Sequence, residues 1–557
     1  MPLEKPKKSS QNSQSNRTPG SSLAGLSIKP RRDEPFPNWM IFPVLFVALY
    51  FTHFTLLRLP YYWDEAGYYI PAALDFLRTG SLIPTSTLTN AHPPLPSIYL
   101  ALWWKLSGFY PEVTREAVLM VAALGLLAIW RLVQRVHGSS LVAFWTVVLT
   151  GLYPIWFAQS SLAHADIFAA ACTLWGLVYA LPDAGRKPWA AALWFTAAVL
   201  SKETAIAVPL TLAILCLIAG LRARAATRYQ LWREAAWLVS CVIPLGCWYA
   251  FHYAKTGFLF GNPEFLRYNA QTTLEPARVM AALAHRVLHL TAHMNMFVPA
   301  LLTVASLMLP LRPETTGAKR AQMSEAVGWR IAILLIANAL LYSVLGGALL
   351  TRYLLPMYPL VLLAAISTFY ARVRYWQGLA ILSAAAFVVG IFINPPYGFA
   401  PEDNLEYARV IRMHEAGIRQ LESRFAGSTV LTAWPMSDEL THPDLGYVKQ
   451  PFDVYRLEDF TAGQISRAAE EPGKYSTALV FSTKYEPPGP VLRLGRRSEA
   501  LDRQYFGQHY DLPPETIATQ LGGTMVWKQE DHGMWIALIR FNRQFEARLG
   551  EFDVMSR

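Results

Sequence analysis

Long apolar runs decide what this chain can become. About eleven stretches approach the roughly 20 residues that a helix needs to cross a bilayer. They are 39–58, 115–133, 140–157, 162–181, 188–200, 203–221, 234–252, 294–311, 329–348, 353–370 and 377–393. Inside hydrocarbon a backbone must satisfy its own polar groups, so runs of this kind become helices. Charged residues make up 16% of the 557, below the roughly 25% of soluble domains. The expected fold class is a polytopic α-helical membrane protein of about eleven spans.

The basic residues orient those spans. A net charge of +10 would suit nucleic acid, but Lys and Arg fall between the apolar runs and in the N-terminal tail. Placing the tail (Lys5, Lys7, Lys8, Arg31 and Arg32) in the cytoplasm makes every second loop basic. Those loops carry Arg131 and Arg135; Arg186 and Lys187; Arg222, Arg224, Arg228 and Arg233; Arg312, Lys319, Arg320 and Arg330; Arg372 and Arg374. This is the positive-inside pattern, and it explains the charge without a nucleic-acid partner. It also supports dividing the long run 188–221 at Ser201-Lys202-Glu203. The four cysteines lie inside apolar runs and read as small buried hydrophobes.

Three regions follow. Residues 1–37 are rich in Ser, Lys, Pro and Gln, the composition of a disordered cytoplasmic tail. Residues 38–395 form the membrane domain, closed by Asn394-Pro395-Pro396. Residues 396–557 are more polar and predict an external α/β domain. That domain should hold an amphipathic helix at 404–424, short strands at Thr429–Ala433 and Ala478–Ser482, and another strand near 534–541.

The loops opposite the basic ones carry a different set of charges: Asp64, Glu65, His92, Asp166, Lys202, Glu203, His285, His289, His293 and Arg352. Charge at a membrane boundary is costly unless it has a partner or a task. The first of these loops, 59–114, is patterned. Residues 65–79 and 95–106 show apolar positions at helical spacing but are too short to span, so they predict helices lying in the interface. Asn90-Ala91-His92-Pro93-Pro94 between them is a stiff extended turn. A third interfacial helix is predicted at 276–292.

Each charge also has a plain structural reading. Asp64 would cap the following helix. Asp166 would anchor a neighbouring helix, Lys202 would pair with Glu203, Arg352 would snorkel to headgroups, and His92 would only shape its turn. His285, His289 and His293 share one helix face, but a metal would need ligands from elsewhere. The simpler expectation is imidazoles facing headgroups or a cavity.

Taken together and in order, several of these motifs resemble the GT-C glycosyltransferases. They are Trp63-Asp64-Glu65 in the first outer loop, two interfacial helices around Pro93-Pro94, and Asp166 at the outer start of the fourth span. Ser201-Lys202-Glu203 and Thr351-Arg352-Tyr353-Leu354-Leu355-Pro356 complete the set. The nearest branch is the protein O-mannosyltransferase and lipid A aminoarabinose transferase group. That branch of aminoarabinose transferases carries an acidic-basic pair where this chain has Ala91-His92. The resemblance implies a polyprenyl-phosphate sugar donor and an inverting transfer on the external face. The acceptor is a lipid, a glycan or a protein. Asp64 is implied as base and Asp166 as the second carboxylate of the catalytic site. Lys202 and Arg352 are implied as contacts to the donor phosphate, with Glu65, His92, Glu203 and Tyr353 as further substrate-binding residues. No metal ligand is assigned, and a divalent metal is left open. A bacterial inner membrane, with the site and the C-terminal domain in the periplasm, is the implied setting. A transporter or flippase is the rival reading. It would carry charges at mid-membrane and often internal repeats.

Overall fold

The structure is a computed structural model. It describes residues 38–261, 263, 274–313, 320, 322–345, 348–492 and 495–541. The expected tail 1–37 lies outside the described residues.

Every apolar run is helical, but few are single long helices. Four helices are long and apolar enough to cross a membrane: Pro111–Val136, Glu203–Leu221, Ala225–Thr256 and Glu325–Val344. A bent pair, Pro276–Asn295 with Phe297–Leu307, would make a fifth. The remaining apolar helices run from 10 to 17 residues. Local chemistry explains the shortening. The run 140–157 breaks at Tyr153 because Pro154 follows it, and a residue before proline is driven out of the α region. The split at 201–203 is real, with helix Pro188–Ser201 ending at an extended Lys202. Proline also opens helices at Pro111, Pro188 and Pro276, where its missing N–H costs nothing.

Large apolar side chains stay exposed on outward faces, as with Leu193, Ile214, Leu217, Ile218 and Leu221. Contiguous exposure of this kind marks a surface built to meet something apolar. The three short helices predicted from pattern are present: a helix from Glu65 to Thr79, Leu95–Ser107 and Pro276–Thr291. The last meets its successor at 100°. The bend is made by Met294 and Asn295, both at positive φ.

After helix Trp376–Phe392 the architecture changes. Helix Glu406–Phe425 leads into a five-stranded sheet: β1 Val430–Ala433, β2 Val454–Leu457, β3 Thr477–Phe481, β4 Thr524–Asp531 and β5 Met534–Arg540. The spatial order is β2-β1-β3-β5-β4. β1 runs parallel to β2 and β3, while β5 is antiparallel to β3 and β4. Gly417 lets the long helix sit on this sheet, since a Cβ there would lie 2.5 Å from Ile536. The predicted strands near 429, 478 and 534 are present. β2 and β4 escape prediction because their side chains are only half buried and lack a clean apolar period.

The α/β part is docked on one end of the helical part. Tyr61 N–H donates to Leu445 O, Tyr447 Oη donates to Tyr61 O, and Ser161 Oγ meets Tyr407 Oη at 2.8 Å. The basic residues gather at the other end. There Arg330 pairs with Asp183, Arg186 pairs with Glu234, and Arg135 donates to Val178 O.

Candidate active site

The site begins with a strained turn. Trp63 has φ +49°, a region that large non-glycine residues seldom occupy. The chain then winds through a π-helical turn, Glu65–Tyr69, a feature frequent at functional sites. This geometry sends neighbouring acids in opposite directions. Glu65 turns into the core, where Oε1 accepts from Arg115 Nη1 at 2.7 Å and from Ala163 N–H at 2.6 Å. Its Oε2 accepts from Tyr62 N–H at 2.9 Å. Asp64 makes no cap bond. Its side chain stays 32% exposed and takes a hydrogen bond from Arg352 Nη2.

Arg352 is the hub. It lies in the turn Thr351–Leu354, just before helix Tyr358–Arg372, and its side chain is 2% exposed. Besides Asp64 it meets Glu402 Oε2 at 2.5 Å through Nη1 and Asp166 Oδ2 at 3.3 Å through Nε. A planar guanidinium has the fork to serve several oxygens at once. Asp166 sits in the first turn of helix Ala165–Ala180, where the helix dipole favours an anion. Its Oδ1 accepts from Lys202 Nζ at 2.6 Å. Lys202 Nζ also stands 4.1 Å from the centre of the Tyr353 ring. A small cavity lies beside these groups, lined by Asp166, Lys202, Arg352 and Tyr353 with Asn338 and Tyr342.

A second pair flanks the first. His92 Nδ1 meets Glu203 Oε2 at 2.8 Å. The Tyr69 ring stacks on His92, with centroids 6.1 Å apart and planes 12° apart. The other face of the cluster belongs to residues 401–403. Burial pushes the Glu402 carboxyl up to about 8; Arg352 opposes this, and the Asp64, Asp403 and Asp166 carboxylates add to it. Asp403 is tied down by Thr351 Oγ1 and by His293 Nε2 at 2.8 Å.

The structure therefore brings Asp64, Asp166, Lys202, Arg352 and Tyr353 together and sets His92 and Glu203 beside them. It removes Glu65 from the expected binding residues: its carboxylate is fully buried and saturated by the scaffold. The plain readings of four residues also give way. Asp64 does not cap, Lys202 and Glu203 pair with different partners, and Arg352 is buried rather than at a headgroup. Two members of the histidine row have acid partners. His285 pairs with Asp502 at 2.9 Å and His293 with Asp403. Among the described residues no group of three or more His, Cys, Asp or Glu is arranged to hold a metal ion. Sequence reasoning missed Glu402, Asp403, His164 and Tyr69. The one available signal was Pro401-Glu402-Asp403, an acidic pair a few residues beyond the last apolar run.

Comparison with known proteins bears on the fold that carries this arrangement. Residues 91–248 match the family described as dolichyl-phosphate-mannose-protein mannosyltransferase. No curated protein sequence matches the chain. Two crystal structures of ArnT from Cupriavidus metallidurans superpose on it, one apo and one bound to undecaprenyl phosphate. The apo structure has a TM-score of 0.52 and 14% identity, covering 90% of this chain and 98% of ArnT. The lipid-bound structure has a TM-score of 0.51 at the same identity, covering 90% and 97%. The fold is ArnT-like. This agrees with the motif resemblance, and the ArnT likeness extends beyond the helices through most of the C-terminal α/β part.

Proposed function

We propose that the protein transfers a sugar from a polyprenyl-phosphate donor to an acceptor on the external face of the membrane, with inversion at the anomeric carbon. The observation that carries this is the Arg352 hub: one buried guanidinium and one lysine shared among carboxylates from distant segments, at one end of the helices. In a structural salt bridge each cation is closed off by its own acid; here the two cations are shared among three carboxylates, so a cation can turn to a phosphate without leaving every acid unpaired.

Asp64 is the base. It is the most exposed carboxylate of the hub, and its Arg352 bond fixes its direction. It takes the proton of the acceptor hydroxyl as the acceptor oxygen bonds to the anomeric carbon. The bond from that carbon to the phosphate oxygen breaks, and the electron pair leaves with the lipid phosphate. Lys202 and Arg352, at the cavity wall, stabilise that charge. Asp166 holds both cations in place. The external placement rests on the basic residues at the opposite helix ends, and a bacterial inner membrane with a periplasmic C-terminal part fits it. The likeness to an ArnT structure containing undecaprenyl phosphate supports a donor of that class.

The test is turnover. Purified protein in nanodiscs should consume a polyprenyl-phosphate sugar in the presence of an envelope acceptor extract, and Asp64→Asn should not. Movement of the lipid across liposomes without turnover would support the flippase reading instead.

A further inference from the structure

The hub contains more acid than base. Asp64, Asp166 and Glu402 face Arg352 and Lys202, so the ionised set carries a net charge of −1 from three carboxylates and two cations. Adding a phosphodiester would bring a further negative charge into a space from which water is largely excluded. Like charges packed this closely cannot all stay ionised. One carboxylate must give way, and the geometry shows which.

Asp64 has to remain ionised to act as base. Asp166 is held by two cations. Glu402 has only Arg352, its side chain is 5% exposed, and no other donor reaches its carboxylate among the described residues. Around it stand Tyr62 and Asp64 from the first outer loop, Gln159, His164 and Asp166 from the 159–166 segment, Arg352, and Asp403 on its own turn. None of these offers a second positive charge. His164, 3.9 Å away, has its Nδ1 3.2 Å from Arg352 Nη1, where it can serve only as an acceptor and not as a second cation.

We propose that Glu402 is a positioning residue that must be protonated for the site to accept a lipid phosphate. It takes its proton from solvent and releases its claim on Arg352 Nη1. The guanidinium then turns that nitrogen to the phosphate while keeping Nη2 on Asp64. The raised affinity of Glu402 for protons is the equilibrium side of the same crowding. This inference rests on the lipid-phosphate reading given above. It adds that the C-terminal α/β part supplies a working group of the site.

The probe is monomethyl undecaprenyl phosphate, a phosphodiester whose single charge does not change near neutrality. Full-length protein in nanodiscs should bind it with a constant Kd below about pH 7. Above about pH 8 the Kd should rise, approaching about tenfold per pH unit, as expected for uptake of one proton. Glu402→Gln, which copies the protonated form, should bind as tightly at pH 9 as at pH 7. Calorimetry of the wild type near pH 8.5, in two buffers of different ionisation enthalpy, should show proton uptake that Glu402→Gln lacks. A flat wild-type Kd with no uptake overturns the inference alone. A slope that persists in Glu402→Gln also overturns it, because another group would then be titrating. Failure to bind the probe at any pH overturns the lipid-phosphate reading and this inference together.

Discussion

Two arginines in this molecule are equally hidden and differently used. Arg115 and Arg352 are 1% and 2% exposed. Arg115 faces one carboxylate, Glu65, and otherwise donates to the backbone carbonyls of Ser161 and Pro60. Its charge is matched and its geometry closed. Arg352 faces three carboxylates, none saturated by backbone, beside an open cavity. The acids at the two centres are sequence neighbours, Asp64 and Glu65. Burial therefore does not separate scaffold from site here. The balance of charge does, together with what else each acid can reach.

The sharpest way to break this contrast is to neutralise the neighbours in turn. Asp64→Asn should cut transfer by roughly 10²–10⁴-fold, the usual share of a general base, with an unchanged melting temperature. Equal activity of Asp64→Asn and wild type would put the base elsewhere. Glu65→Gln should do the reverse. It leaves Arg115 as an uncompensated buried charge, at about 3–5 kcal/mol, and should show as poor expression and a lowered Tm. Normal stability in that variant would erase the distinction between the two centres.

Arg352→Lys tests the fork at smaller scale. It keeps the charge but cannot hold Asp64, Asp166 and Glu402 together. Donor affinity should fall by roughly one order of magnitude, since a charge-assisted bond contributes about 1.5–3 kcal/mol and 1.4 kcal/mol is a decade. Undiminished affinity would mean that charge alone suffices. The smallest effect concerns pH. Burial raises the Glu402 carboxyl to about 8 from its ordinary 4.5. The folded protein thus holds a proton that the unfolded chain has lost, and stability falls as pH rises between about 4.5 and about 8. Glu402→Gln should remove that slope, so its Tm should exceed that of wild type at pH 8.5 by more than at pH 5. Parallel Tm curves would show that Glu402 is not titrating in this range.

Much of this was legible in the chain. Apolar length located the helices, and the alternation of Arg and Lys placed the charged outer loops at one end. The chemistry of Trp63-Asp64-Glu65 and of the 351–353 turn singled out two segments that the structure brings together. Legibility failed where a side chain's direction depends on one backbone angle. Asp64 and Glu65 differ in role because Trp63 sits at positive φ, and no local pattern announces that. It failed again where a partner comes from another region. Glu402 meets Arg352 across 50 residues of sequence, from a polar stretch whose acids look like ordinary solvated charge. The partners of the histidine row were hidden for the same reason, since Asp403 and Asp502 belong to the α/β part.

The sheet order has a consequence for how the protein is made. β5, Met534–Arg540, is the last described strand to leave the ribosome, yet it sits between β3 and β4. The sheet cannot close until residues 534–540 have been made. The helix Glu406–Phe425, which follows Glu402 directly, rests on that strand through Gly417 and Ile536. Throughout synthesis the nascent helices thus hold Arg352 without its final acidic partner in a settled place. A chain halted before residue 534 would carry every residue of the proposed site and still lack the strand on which the Glu406–Phe425 helix rests.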